Sequence, residues 1–513
     1  MLVKVNSIAN RGIQTFGVDV EINVSSRGLP GLEIVGLPDK SVDESSDRVK
    51  TAFQNCGLKV PGRKVMINLA PADVHKEGSF YDLPIAVGLI CVILNVKVPD
   101  KALFFGELSF DGSLRHTKGS FLLALYAKES GYDKVFVPAQ CVKEASSVKG
   151  ISVYGVDTLD SIIKHLMGQK LISPFLDTAP LESSQDFDKF QGDDNLDMSE
   201  IIGQEYAKRA LEICAAGGHN LIMVGPPGSG KTMMAKALVS VLPELNDEES
   251  IEVTKIYSLV GKIPPDCGLF KKRPFRSPHH TISYAGMIGG GNIPMPGEIT
   301  LAHRGVLFMD EFSEFTRSVL ESLRQPLESG KITISRSRYS VDFPSKFMLV
   351  ASSNPCPCGH YGDPRKECTC SERKIRSYQA KLSGPILDRI DLHVNVMPVD
   401  RNKLFNGSFG EKETSKDILN RVLKAREIQI KRLGNENIFF NCEMSNSQVE
   451  KYCKLKEDSK RLLIQATERF GLSARTHFKL MKVARTIADI DGADNIDVNH
   501  IAEAVQYRSK IFL

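Results

Sequence analysis

Alternating apolar and polar positions divide the first third of the chain into short strands and helices. Val18, Val20, Ile22 and Val24 alternate with Asp19, Glu21 and Asn23, the period of a half-buried strand. Val65, Ile67 and Leu69 repeat that pattern. Residues 41–53 follow the turn Leu37-Pro38-Asp39 and read as a polar helix, whereas 83–94 form an apolar one. Lys134-Val135-Phe136-Val137-Pro138 is a late strand that stops at its proline. These elements predict one α/β domain over residues 1–167. From 168 to 196 the pattern dissolves into Pro, Ser and acidic residues such as Asp186, Asp188, Asp193 and Asp194, the composition of an acidic, mobile linker.

The pattern then changes to fully apolar runs, each ending in a chemically distinctive group. Leu221-Ile222-Met223-Val224 runs into Gly225-Pro226-Pro227-Gly228-Ser229-Gly230-Lys231-Thr232 and a helix, a complete phosphate loop. Glycines there let the backbone turn its N–H groups inward. Lys231 suits the β- and γ-phosphates of ATP, and Thr232 a Mg²⁺ ion. Val306-Leu307-Phe308-Met309 ends in Asp310-Glu311. Asp310 suits the Mg²⁺ shell through water, and Glu311 the base that polarises the attacking water. A third run, 347–353, ends in the amide of Asn354. Together these predict a parallel α/β core over 197–400. Four helical patterns, 418–432, 457–470, 475–490 and 498–507, predict a helical lid over 401–513.

Three stretches lie between these runs. The basic, glycine-rich segment from Lys271 to Glu298 contains His279-His280; it is read as a loop facing a polyanion or as a structural loop. Adjacent residues on an extended segment point to opposite faces, so the His pair makes a poor chelate. Ile332 and Ile334, then Val341 and Phe343, alternate around Arg336-Ser337-Arg338, a β-hairpin with a basic tip suited to a DNA backbone. An ordinary exposed hairpin is the alternative. Cys356, Cys358, Cys368 and Cys370 form two close pairs inside an insertion over 355–371. They fit a tetrahedral Cys₄ site for Zn²⁺, or a reduced, redox-labile cluster.

Composition narrows the picture further. The balance of 66 basic and 62 acidic side chains gives a net charge of +4, so any nucleic-acid surface is local. No apolar run has the length of a membrane span. An odd count of 11 cysteines, several of them single in apolar contexts, points to a reducing cytoplasm and not to a disulfide framework.

The order of parts resembles the magnesium-chelatase-like AAA+ proteins of the YifB/ComM type, over nearly the whole chain. The resemblance rests on the phosphate loop, Arg276-Ser277-Pro278-His279-His280, Cys356-Pro357-Cys358-Gly359 and Val483-Ala484-Arg485-Thr486-Ile487-Ala488-Asp489. It also rests on a front domain similar to the Lon-protease-like, S5-type fold, carried by Asn68-Leu69-Ala70-Pro71-Ala72-Asp73, Lys76-Glu77-Gly78 and Phe105-Gly106-Glu107-Leu108. Lon-like proteolysis needs a Ser–Lys dyad. Ser79 is a near miss, Lys118 is the nearest lysine, and a binding or assembly role is favoured. Lys76 and Arg48 are read as solvated charges, with phosphate contact as the alternative. In the ATPase core, Ile201-Ile202-Gly203-Gln204 resembles the AAA+ segment near the adenine. The resemblance implies that Asn354 is a first sensor and Arg389 an arginine finger acting on a neighbouring subunit, with an ion pair to Asp388 or Asp391 as the alternative for Arg389. Arg475 would be a second sensor reaching from the lid, with Lys482 and Arg485 as rivals. It further implies a bacterial cytosolic ATPase in hexameric rings, with ComM-type members tied to DNA branch migration. The alternatives are the ATPase subunit of a metal-chelatase system and an ATP-dependent protease.

Overall fold

The computed structural model describes residues 2–25, 29–176, 196–264, 267–291, 294–335, 340–382, 384–399, 413–436 and 438–508. The chain forms two compact units. One comprises Met1–Phe190 with Asn246–Lys271, the other Gln191–Leu245 with Lys272–Leu513.

The first unit is built on β1 (Leu2–Arg11), β2 (Gln14–Val24), β3 (Gly31–Val35), β4 (Lys64–Ala70), β5 (Ala102–Phe104), the short ribbon β6 (Glu107–Leu108) and β7 (Leu114–Arg115), β8 (Lys134–Pro138) and β9 (Ser152–Val156). Seven of these make a mixed sheet in the order β3-β4-β2-β1-β5-β8-β9. The alternation around Val18–Val24 emerges as β2, with Val18, Val20 and Ile22 buried. Residues 41–53 fall in two helices, Lys40–Asp43 and Ser45–Asn55. The helix Asp82–Leu94 has no polar stripe because it packs on β1 and β2 and is buried over its first ten residues.

One part of this unit was not legible in the chain order. Asn246–Lys271 follows the phosphate-loop helix in sequence, yet it belongs to the first unit. Its helix Asp247–Val260 opens with an Asn246 capping box, packs on the helix Ser120–Glu129, and places the Ser258 hydroxyl 2.6 Å from the buried carboxylate of Glu144. The same carboxylate accepts from the Phe121 N–H at 2.9 Å. The acidic run meant as a linker lies mostly outside the described residues.

The second unit contains β10 (Leu221–Val224), β11 (Phe275–Arg276), the pair β12 (Gly289–Gly290) and β13 (Met295–Pro296), β14 (Val306–Met309), the hairpin β15 (Lys331–Ser335) and β16 (Ser340–Pro344), β17 (Met348–Ser353) and β18 (Leu392–Asn395). Five strands form an all-parallel sheet in the order β11-β14-β17-β10-β18. Their four-residue apolar runs are buried throughout, as a sheet covered on both faces requires. The C-terminal helices Ser415–Leu433, Glu457–Phe470, Ala474–Ile490 and Val498–Gln506 share one core with this sheet. In the hairpin, Ile332 faces Phe343 and Ile334 faces Val341, all buried on one side. Its tip, Arg336 to Tyr339, lies outside the described residues.

Candidate nucleotide site

Parallel strands bring their carboxyl ends to one edge, and there the predicted groups converge. β10 ends at the phosphate loop, β14 at Asp310 and Glu311, and β17 at Asn354. Gly225 is required by crowding: a Cβ there would lie 2.1 Å from the carbonyl oxygen of Val396, just past β18. Gly228 and Gly230 take left-handed φ values of 74° and 89°, which curl the loop. Ser229 is buried within it. The amide of Gln204 donates to the Met397 carbonyl, so the Ile-Ile-Gly-Gln segment reaches the chain leaving β18 beside the loop.

Lys231 folds back over this loop. Its Nζ donates to the carbonyls of Gly225 at 2.7 Å and Pro226 at 3.0 Å. Burial lowers the amine to about 8, against the opposing pull of Asp310. The Thr232 hydroxyl donates to Asp310 at 2.9 Å. Asp310 also accepts from the Ser352 hydroxyl and from the Glu311 N–H at 3.0 Å. A hydroxyl and a carboxylate this close, beside a phosphate loop, suit Mg²⁺, a hard ion that takes few protein oxygens and keeps its waters.

Glu311 takes a left-handed φ of 52°, and its exposed carboxylate meets Nδ1 of His280 at 3.2 Å. His280 is a site residue the sequence did not reveal. The expectation that the two histidines point apart fails, because at the turn His280-Thr281 their rings lie side by side, tilted by 34° with centroids 4.1 Å apart. His279 is engaged with the Thr281 hydroxyl at 2.9 Å.

The opposite edge of the sheet carries the arginines. Arg389 lies just before β18, with Nη2 2.8 Å from Glu328 and Nη1 2.6 Å from the Pro385 carbonyl. Its ion pair is therefore with Glu328, and neither Asp388 nor Asp391 fills that place. Arg475 reaches the other oxygen of the same carboxylate at 2.7 Å. The two guanidiniums, Arg389 above all, hold Glu328 below the usual carboxylate range. Arg475 lines a cavity of about 680 Å³ with Asn220, Gly305, Met348 and Asp391, the residues at the amino ends of the strands. The four residues of β10, about 13 Å of extended chain, separate that edge from the phosphate loop. The expected reach of Arg475 to its own chain's γ-phosphate is therefore absent in this conformation. Its two rivals are structural. Arg485 is buried against Asp489 and the carbonyls of Ala493 and Asp494, and Lys482 donates to the Cys442 carbonyl.

The four insertion thiols come together. Their Sγ atoms all lie within 4.8 Å of one another, and Cys356, Cys358 and Cys368 are separated by 3.4, 3.7 and 3.6 Å. A tetrahedral zinc with Zn–S bonds of about 2.3 Å needs sulfur separations of about 3.8 Å.

In the first unit, the residues weighed for chemistry serve the fold. Arg48, read as a solvated charge, instead makes a bidentate pair with buried Asp82 at 2.7 and 3.1 Å. Lys76, read the same way, is fully buried, with Nζ on the Pro71 carbonyl. Ser79 donates to Glu107, so its hydroxyl faces a carboxylate where a proteolytic dyad would need a lysine.

Three family models match the chain: "Magnesium chelatase, subunit ChlI" over residues 197–404, "Subunit ChlI of Mg-chelatase" over 20–141, and "Magnesium chelatase, subunit ChlI C-terminal" over 412–508. Competence protein ComM of Haemophilus influenzae is 42% identical over 515 residues, covering 100% of this chain and 98% of that protein. The protein YifB of Escherichia coli is 41% identical over 507 residues, covering 98% and 96%. Lon protease 2 of Bacillus subtilis is 31% identical over 183 residues, covering 31% of this chain and 32% of that protein. Among the described residues, no helix is long and apolar enough to cross a membrane.

Proposed function

The chain belongs to the YifB/ComM type of magnesium-chelatase-like AAA+ proteins, and from that membership we propose that it is an ATP-hydrolysing ring motor acting on DNA in the cytoplasm. The observation that carries the hydrolase reading is the cluster at the carboxyl edge: Lys231, the Thr232–Asp310 pair and Glu311. Lys231 exchanges its two loop carbonyls for phosphate oxygens. Thr232 and, through water, Asp310 would hold Mg²⁺, which would supply charge neutralisation for the phosphoryl group. Glu311 turns from His280 to orient the attacking water, with Asn354 beside it on the next strand. Arg389 and Arg475 stand at the other edge of the sheet, so each site needs a second copy to supply its arginines. Head-to-tail contacts of that kind close into rings, and a hexamer is the family expectation.

DNA is the proposed track. The hairpin β15–β16 would present Arg336 and Arg338, and a relative over the full length is named a competence protein. Branch migration during recombination of incoming DNA is the specific activity proposed. The four thiols would hold one Zn²⁺. All eleven cysteines are free, which suits a reducing compartment. The family descriptions support a second reading, an ATPase subunit that drives a metal-chelatase partner.

One experiment separates the two. ATP turnover is measured with and without forked or four-way DNA, in the wild type and in Lys231→Ala and Glu311→Gln. The motor reading expects stimulation by DNA, no nucleotide binding in Lys231→Ala, and binding without turnover in Glu311→Gln. Turnover indifferent to every DNA would favour the chelatase-partner reading, and full turnover in both variants would sink the site assignment.

A further inference from the structure

We propose that the Cys₄ knuckle is a metal-dependent brace for the phosphate loop, so that metal occupancy sets nucleotide affinity. The inference rests on the zinc reading and goes beyond it by giving the metal a task at the ATP site.

Three independent observations carry it. The first is sulfur geometry. Cys356, Cys358, Cys368 and Cys370 are drawn from two ends of a short insertion into one cluster at tetrahedral spacing. Thiols are weak hydrogen-bond partners and thiolates repel, so the Tyr361 N–H on Cys356 and the thiol–thiol contacts hold such a cluster far less well than a shared cation would. The second is contact. Gly359, next to Cys358, is buried and lies directly on the phosphate loop: a Cβ there would fall 2.6 Å from Cδ and 2.7 Å from Cγ of Pro227. Gly359 also holds a left-handed φ of 82°, so the turn between the cysteine pairs is shaped to bring bare backbone against that ring. The third is continuity. Asn354 directly follows β17, and Cys356 comes after a single proline. The knuckle thus meets the phosphate loop at Pro227 by contact and is tied to Asn354 through the chain.

Pro227 is otherwise an exposed residue at the bend of a loop whose glycines give it little stiffness of its own. A phosphate loop binds by pre-positioned N–H groups, and every order of freedom it retains beforehand is lost on binding. Metal on the four sulfurs fixes the turn that Gly359 belongs to, which holds Pro227 in its bound arrangement. Removing the metal frees that turn, and nucleotide binding must then order it.

The test uses the full chain and a fluorescent N-methylanthraniloyl-ADP, since the chain has no tryptophan to report binding. Bound zinc is measured by elemental analysis, and the Kd for labelled ADP in excess Mg²⁺. Measurements are made as purified, after a zinc-selective chelator, and after zinc is restored. The expected result is one zinc per chain and a Kd that rises about tenfold on chelation, a change of about 1.4 kcal/mol, and returns with zinc. Gly359→Ala keeps all four thiols and should retain zinc while weakening labelled ADP several-fold. This variant decides the matter if the stripped protein loses its fold by circular dichroism. Zinc present, with Kd unchanged by chelation and by Gly359→Ala, overturns the brace while leaving the zinc reading intact. Absence of zinc from freshly purified protein overturns both.

Discussion

Each unit of the molecule buries a lysine, and the two lysines share the same local description. Lys76 in the first unit and Lys231 in the second are both withdrawn from solvent. Both amines donate to backbone carbonyls, Lys76 to Pro71 and Lys231 to Gly225 and Pro226. Burial lowers both below the ordinary lysine value. Their settings differ. Around Lys76 the partners are structural: its own N–H and carbonyl tie the strand-like turn to Leu37 and Asp39. Around Lys231 the carbonyls belong to a loop curled by left-handed glycines, and Thr232 and Asp310 stand ready for a cation. A buried, perturbed lysine therefore marks a site only when its partners can be exchanged for a ligand. Arg48, clamped on Asp82, and Arg389, resting on an exposed Glu328, repeat the contrast.

The largest effect expected comes from the arginine edge. Arg389→Ala should lower kcat by about 10³-fold, because an arginine finger stabilises charge on the transferring phosphoryl group. Nucleotide affinity should change little. If the arginine serves a neighbour, mixing Arg389→Ala with Lys231→Ala chains should restore turnover that neither has alone. Mixed rings as inactive as their parents would return Arg389 to the class of Arg48, a residue of the fold.

How much of this was legible in the sequence follows from the range of the interactions involved. Phosphate loop, carboxylate pair and strand-terminal asparagine are local patterns, each at the end of an apolar run, and parallel pairing must gather such ends at one edge. Element limits were legible for the same reason: the period of Val18–Val24 and the apolar run before Gly225 depend on neighbours in sequence. The partners of long side chains were not. Glu328 lies 61 residues from Arg389, and no local pattern marks the carboxylate that Arg389 and Arg475 share. His280 meets Glu311 only because a turn follows β11 and β11 pairs with β14. Lys76 reads as a surface charge because charged residues are seldom fully buried. Membership of Asn246–Lys271 in the first unit leaves no trace in order or composition, and it shows only when Ser258 meets Glu144.

A smaller effect tests Lys231 through pH. Its amine in the nucleotide-free protein titrates at about 8 and is charged below that. Phosphates favour the charged form. kcat/KM for ATP, which reports the free protein, should therefore be level below pH 8 and fall about tenfold per unit above it. Binding of ADP near pH 8 should take up a proton, seen as a dependence of calorimetric heat on buffer ionisation. The linkage has the opposite sign for the fold. A lysine with a depressed value stabilises the folded state above its unfolded value near 10.5, and this is lost as pH falls through 8. A flat kcat/KM to pH 9.5 would mean that the amine stays charged on its carbonyls.

The smallest effect falls on Lys76 and bears most directly on the contrast between the units. Its amine forgoes water for the Pro71 carbonyl and the weak pull of Asp73. An unpaired buried charge costs more than one carbonyl returns. Lys76→Met keeps the length of the side chain and removes that charge. Burial lowers this amine, so below its folded value it is charged and contributes none of the stability its neutral form would give. The variant should therefore equal the wild type or exceed it by about 1 kcal/mol in denaturant unfolding of the first unit. The wild type should gain on the variant as pH rises from its lowered folded value towards the unfolded lysine value, because over that window its amine enters the fold uncharged. ATP turnover, with or without DNA, should stay within about twofold, as expected for a residue whose partners are all structural. A loss of turnover with the fold intact would place Lys76 beside Lys231, and a buried lysine on a carbonyl would then signal chemistry in both units.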